Sequence, residues 1–304
     1  MLTALIVMFA PFVACLTLVG IHGYFGIHVL KREIIFIDIA MAQIAALGGI
    51  VHMLFPPEVT TEWGITAYTQ EAFIPYVTYF FSLLFVMIAA AVFTYLKSEK
   101  LYISLEALIG ITFAVATTGA VILIDVGAGG DVHVHDMLVG SILWVKWSQI
   151  LKSFIVYSII GAFHYRFRHK FLSISEDYQK AKEKGINVRL WDFLFYFTLG
   201  IVVIHSVAIG GILVVFSFLI IPASISVLFS QNWSTRIMIA WIGGTIVTML
   251  GLYFSWKIDV PSGPSVILFL GVFLFLALIV KALNIFGTSE KNVPGQSASG
   301  DVSE

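Results

Sequence analysis

The feature that most constrains this chain is a succession of apolar runs. Each comes close to the roughly 20 residues that a helix needs to cross a bilayer. Nine can be marked, at about Leu5–Leu30, Ile34–Leu54, Phe73–Leu96, Leu105–Ile124, Gln149–Phe167, Leu190–Ala208, Ile209–Phe229, Ile237–Trp256 and Pro264–Leu283. Charged residues make up only 12% of the 304 residues, against about 25% in a soluble domain. The expected fold class is therefore all-α, a polytopic membrane protein with about nine transmembrane helices, eight to ten being compatible. Met137–Ser148 is apolar but too short to span. A half-helix or re-entrant piece there is tolerable only if buried in protein.

Lys and Arg set the orientation. Lys31, Arg32, Lys97 and Lys100 sit in alternate linkers, and Arg166–Arg189 holds seven basic residues. The intervening linkers are acidic: Phe55–Ala72 carries Glu58, Glu62 and Glu71, and Asp125–Asp136 carries three aspartates, with no Lys or Arg in either. Nine spans place the basic linkers in the cytoplasm, with the N-terminus outside and the C-terminus inside. Residues 1–286 form one transmembrane domain, and the Ser- and Gly-rich stretch 287–304 reads as a disordered cytoplasmic tail. Met1-Leu-Thr-Ala4 lacks a basic n-region, so the first span is expected to stay. A net charge of -1 excludes a strongly basic nucleic-acid binder, and a single cysteine, Cys15, excludes an internal disulfide or a cysteine cluster.

Ile209–Phe229 is unlike a plain anchor. It opens on Gly210-Gly211, carries Pro222, and breaks into the polar turn Ser230–Arg236. Gly210 and Gly211, like the pairs Gly48-Gly49 and Gly243-Gly244 inside other spans, read as helix-packing residues, because small residues let helices approach closely. Ionisable or polar residues within spans are functional candidates. Asp38 lies near the cytoplasmic end of the second run, Gln43 near mid-depth and His205 near the outer end of the sixth. Gln43 offers a carbonyl oxygen to a hard cation or a hydrogen bond to a neighbouring helix; Asp38 suits a cap or a pair with Lys31 or Arg32. Glu106 suits the first turn of its helix. The densest polar cluster is Gly127–Asp136, where His133 and His135 are flanked by Asp131 and Asp136. Imidazole with carboxylate suits zinc, manganese or iron(II), although a solvated loop has the same composition. There is no Walker A pattern, and no nucleophile–base pair or HExxH for catalysis.

With spans and orientation placed, the sequence resembles the permease subunits of metal-ion ABC importers, the group serving zinc, manganese and iron. The resemblance covers nearly all of residues 10–284. It is carried in order by Gly26–Gly48, Glu106–Ala114, Met137–Leu143, Gly210-Gly-Ile-Leu-Val-Val-Phe-Ser-Phe-Leu-Ile-Ile-Pro-Ala223 and Leu252–Pro264. It implies a type II ABC importer permease that dimerises, pairs with two ATPase subunits and accepts metal from an extracytoplasmic binding protein. It also implies that Ala223–Arg236 is the cytoplasmic coupling element, with Pro222, Ala223, Ser224, Asn232, Trp233 and Arg236 as its residues. Many members carry Asp and His four residues apart in the second span. Aligned on Gly48, those positions hold Ile39 and Gln43, and Asp38 is one residue early, about 100° around the helix. The expected metal contacts are thus His133, His135, Asp131, Asp136, Gln43 and His205.

The reading is a multi-pass plasma-membrane permease that moves a divalent metal by alternating access. It holds no covalent cofactor and is not itself an enzyme, ATP being used by the partner. A stand-alone secondary transporter would need carboxylates near mid-depth, which are absent. A permease for a metal chelate fits the short outer loops less well. A membrane sensor or scaffold would have no ATPase partner.

Overall fold

The computed structural model describes residues 2–51, 67–97, 103–126 and 142–290. Each of the nine apolar runs is occupied by a helix: α1 (Leu2–Lys31), α2 (Ile37–Ile50), α3 (Ala67–Leu96), α4 (Leu105–Val126), α5 (Trp147–Arg166), α8 (Val188–Gly210), α9 (Ile212–Phe229), α10 (Trp233–Ile258) and α11 (Ser262–Glu290). Two shorter helices, α6 (Arg168–Glu176) and α7 (Tyr178–Glu183), lie between α5 and α8. No strand occurs among the described residues.

Seven of these helices, α1, α3, α4, α8, α9, α10 and α11, are long and apolar enough to cross a membrane. α2 has only 14 residues, about 21 Å at 1.5 Å per residue. It starts three residues later than its apolar run because α1 ends in a Schellman motif. Glu33 is left-handed at φ 56°, its N–H reaches Leu30 O, and the Ile34 N–H reaches Val29 O at 3.2 Å. α5 has length enough but buries a polar-bearing stripe, Ile150, Ser153, Tyr157, Ile160 and His164, at three- and four-residue spacing. Its apolar residues Leu151, Phe154, Ile155 and Ile159 face outward. Of the short stretch Met137–Ser148, Ile142–Trp144 form a 3-10 turn against α1 and α11. α11 stays helical to Glu290, four residues into the expected tail, and 291–304 lie outside the described residues.

The helices form two groups. α1, α9, α10 and α11 pack together, and so do α2, α3, α4 and α8, with α8 touching α2, α9, α1 and α5. Small residues set the seams, because lipid supplies no hydrophobic drive between helices. A Cβ on Gly26 of α1 would collide with the Leu219 carbonyl and lie 2.8 Å from Ala223 Cβ of α9. A Cβ on Gly244 of α10 would meet Val19 at 2.9 Å and Pro222 at 3.4 Å. α1 and α10 therefore converge on the turn of α9 that carries Pro222, which α9 accommodates without a break. In the other group, Gly48 and Gly49 of α2 face Phe81 O, Phe85 and Ser82 of α3 at 2.6–2.9 Å from a notional Cβ.

Gly211 does something different from packing. It is the single residue between α8 and α9, at φ 76° and ψ 166°, a region open essentially to glycine alone. Its N–H still closes α8 on Val207 O at 2.9 Å. Gly210, by contrast, faces side-chain ends, Val214 at 3.2 Å and Ile142 at 3.5 Å.

Candidate functional site

One end of the bundle gathers the basic linkers. The C-terminal ends of α1, α3 and α5 meet there with the starts of α8 and α10 and with α6. Asp192, in the first turns of α8, is the hub. Its Oδ1 accepts Arg32 Nη1 at 2.6 Å and its Oδ2 faces Lys97 Nζ at 3.0 Å. The Arg32 and Asp192 side chains are each 2% exposed, so the pair is out of water. A buried carboxylate needs such partners, and removing one leaves the other charge stranded. Arg32 also donates from Nε to Ser175 Oγ at 2.8 Å and lies over the Phe195 ring at 4.0 Å. Burial lowers the Lys97 ammonium from its ordinary value; Asp192 opposes that shift and Arg32 adds to it.

A second layer of contacts runs from α1 to the turn between α9 and α10. His28 Nδ1 lies 2.8 Å from Ser175 Oγ, and its ring sits 4.7 Å from that of Trp233. Trp233 Nε1 donates to Glu176 Oε1 at 2.7 Å. Deeper in, His164 of α5 bridges Tyr24 of α1, at 3.1 Å, and Thr198 of α8, at 2.9 Å, and stacks on Phe171 of α6 at 4.1 Å.

The turn itself is Ser230–Asn232. Asn232 caps α10, its Oδ1 accepting Ser234 N at 2.9 Å and Thr235 N at 3.3 Å. Arg236, read from sequence as an interface residue, points inward and is 1% exposed. It donates from Nε to Ser230 O at 2.7 Å and from Nη2 to Gln231 Oε1 at 2.8 Å. A guanidinium at the C-terminal end of α9 satisfies carbonyls that the helix leaves open. Pro222 and Ala223 are buried and Ser224 is half-buried, whereas Phe229, Gln231, Asn232, Ser234 and Thr235 are exposed. These five residues are the most exposed ones in and beside the turn.

Of the six predicted metal contacts, Gln43 and His205 fall within the described residues. Gln43 is buried on α2. Asp38, also buried, accepts the Ile39 N–H at 2.8 Å, and Arg32 is committed to Asp192 instead. His205, at the far end of α8, faces Tyr79 of α3, with Nε2 3.3 Å from the phenol oxygen. Asp131, His133, His135 and Asp136 lie outside the described residues. Among the described residues no three His, Cys, Asp or Glu converge as a metal-binding group.

The family model for the ABC 3 transport family matches residues 5–281. The chain belongs to the ABC 3 transport family. Among the relatives, the manganese transport system membrane protein MntC of Listeria innocua is 29% identical over 196 residues, covering 63% of this chain and 68% of that protein. The manganese import system permease protein ScaB of Streptococcus gordonii is 27% identical over 188 residues, covering 60% and 66%. The solved structure of PsaBC from Streptococcus pneumoniae in complex with Fab superposes with a TM-score of 0.70 at 21% identity, over 89% of this chain and 90% of that one. That likeness establishes the helical fold.

Against this family frame, the residues that sequence reading passed over are Asp192, His28, His164, Ser175 and Glu176. Asp192 carried a usable signal: it is an acidic residue three positions into the apolar run Leu190–Ala208, and such residues are costly unless paired. His28 and His164 lie in spans and carried the same signal. Ser175 and Glu176 carried none, because a serine and a glutamate in a basic linker look like solvated surface.

Proposed function

We propose that this chain is the membrane-spanning permease subunit of an ABC importer for a divalent transition metal, with manganese the first candidate cargo. Family membership supports the transport role, and the manganese-named relatives support the cargo. The observation that carries the mechanism is the α9–α10 turn. It is fastened on its inner side by Arg236 and Trp233, and it presents Phe229, Gln231, Asn232, Ser234 and Thr235 outward. An element that is rigid behind and exposed in front suits transmission of force from a docked ATPase.

In this reading the basic end is cytoplasmic, following the positive-inside rule, and the C-terminus lies there with the N-terminus outside. ATP is bound and hydrolysed on the ATPase subunits. A binding protein delivers the ion at the opposite end, where Asp131, His133, His135 and Asp136 are candidate first contacts. The path runs between two permease copies past His205 and Gln43 and opens alternately to each side. Few ligands inside the membrane suit an ion that must also leave.

The test is uptake by proteoliposomes holding the permease with the Walker A protein that co-purifies with it. Mn2+ should accumulate only with ATP on the ATPase side, and excess Zn2+ or Fe2+ should reveal the preference by competition. Mn2+ entry at equal rate without ATP would overturn the reading in favour of a secondary transporter.

A further inference from the structure

α6 is nine residues long, and its last two residues reach different neighbours. Ser175 Oγ meets His28 Nδ1 and Arg32 Nε, each at 2.8 Å, on α1 and just beyond it. Glu176 Oε1 accepts the Trp233 indole N–H at 2.7 Å, at the start of α10. One turn earlier, Phe171 lies flat on His164 of α5 at 4.1 Å. Arg32 carries the connection on to Asp192 of α8 and, through it, to Lys97. One short helix thus fastens the α9–α10 turn to both helix groups.

We propose that Glu176 is a positioning residue for coupling: by holding Trp233 it makes α6 a strap through which the turn and α1 move together. This rests on the reading of the turn as the ATPase-facing element. The ring contact between Trp233 and His28, at 4.7 Å, tolerates sliding. The hydrogen bond to Glu176 does not, because its strength falls steeply with distance and angle. Glu176 is exposed, so its removal strands no buried partner, and its variants should fold.

The experiment measures Mn2+ taken up per ATP hydrolysed by the reconstituted permease–ATPase complex. Glu176→Ala should lower that ratio about fivefold, the size expected for losing one partly solvated hydrogen bond of ordinary strength. Glu176→Gln keeps an acceptor oxygen and should stay near wild type. Trp233→Phe keeps a ring but loses the donor, and should fall as far as Glu176→Ala. The double variant should fall no further than either single one. An unchanged ratio in Glu176→Ala, a Gln variant as impaired as the Ala variant, or additive losses would each overturn the strap. A wild-type chain that binds no ATPase would overturn the underlying reading, whereas a coupled wild type beside an equally coupled Glu176→Ala overturns the strap alone.

Discussion

α1 and the residue that follows it are held in two contrasting ways within six positions. At Gly26 it meets α9 through shape: the Leu219 carbonyl and Ala223 Cβ occupy the space a side chain would need. Six residues later, Arg32 is held by direction: an ion pair to Asp192, a hydrogen bond to Ser175 and the face of Phe195. A seam made of close backbone approach can tilt or slide without breaking a bond. A knot of buried charge cannot shift without stranding one of its members. A transporter needs both kinds of contact, one where helices move past each other and one that keeps the moving part in register.

The contrast is broken first by removing the hub. Asp192→Ala leaves the Arg32 and Lys97 cations facing each other and should destabilise the protein by about 3–5 kcal/mol, read as a loss of monodisperse protein on size exclusion in detergent. Replacing Arg32 with Met and Asp192 with Leu together should recover part of that loss, because the apolar pair removes the Arg32 charge while Lys97 still lacks its carboxylate. A double variant no better than Asp192→Ala would mean that the knot supplies more than charge compensation.

The seam is tested by Gly26→Ala. A methyl group there forces α1 from α9 and should cost about 1–3 kcal/mol, seen as a lower melting temperature that does not depend on salt. A neutral effect would mean that the two helices have slack at Pro222.

Arg32→Lys sharpens the comparison. An ammonium can reach Asp192 or Ser175 but not both in the planar fork of a guanidinium, so a loss of about 1–2 kcal/mol is expected in the same melting assay. The smallest effect should come from Asn232→Ala. It removes the α10 cap for about 1 kcal/mol and should lower the melting temperature only slightly.

Much of this arrangement was legible in the residues. Runs of apolar residues located the helices, because length and hydropathy decide membrane insertion almost without regard to partners. The turn after Pro222 was legible too, since Ser230–Asn232 interrupts an apolar run with polar residues. What each polar side chain does was less legible. Arg236 reads as a surface cation, yet the open carbonyl of Ser230 and the amide of Gln231 draw it inward. Asp192 finds Arg32 and Lys97 across 160 and 95 positions of sequence, a pairing that no local pattern encodes. α2 is shorter than its apolar run because the left-handed Glu33 closes α1 before α2 can start, and nothing in the residue types distinguishes that turn from a helical one. Gly211 was read as a packing residue, whereas its backbone angles make it the hinge residue of a one-residue connection.

The central claim is that the α9–α10 turn lies in the cytoplasm and is covered by the ATPase. It is tested most directly by placing a cysteine at Gln231 in a chain whose buried native cysteine, Cys15, is replaced by serine. A membrane-impermeant maleimide should label Gln231→Cys in inside-out vesicles and not in intact cells, and bound ATPase should protect it. Labelling from the outside, or equal labelling with and without the ATPase, would contradict the account.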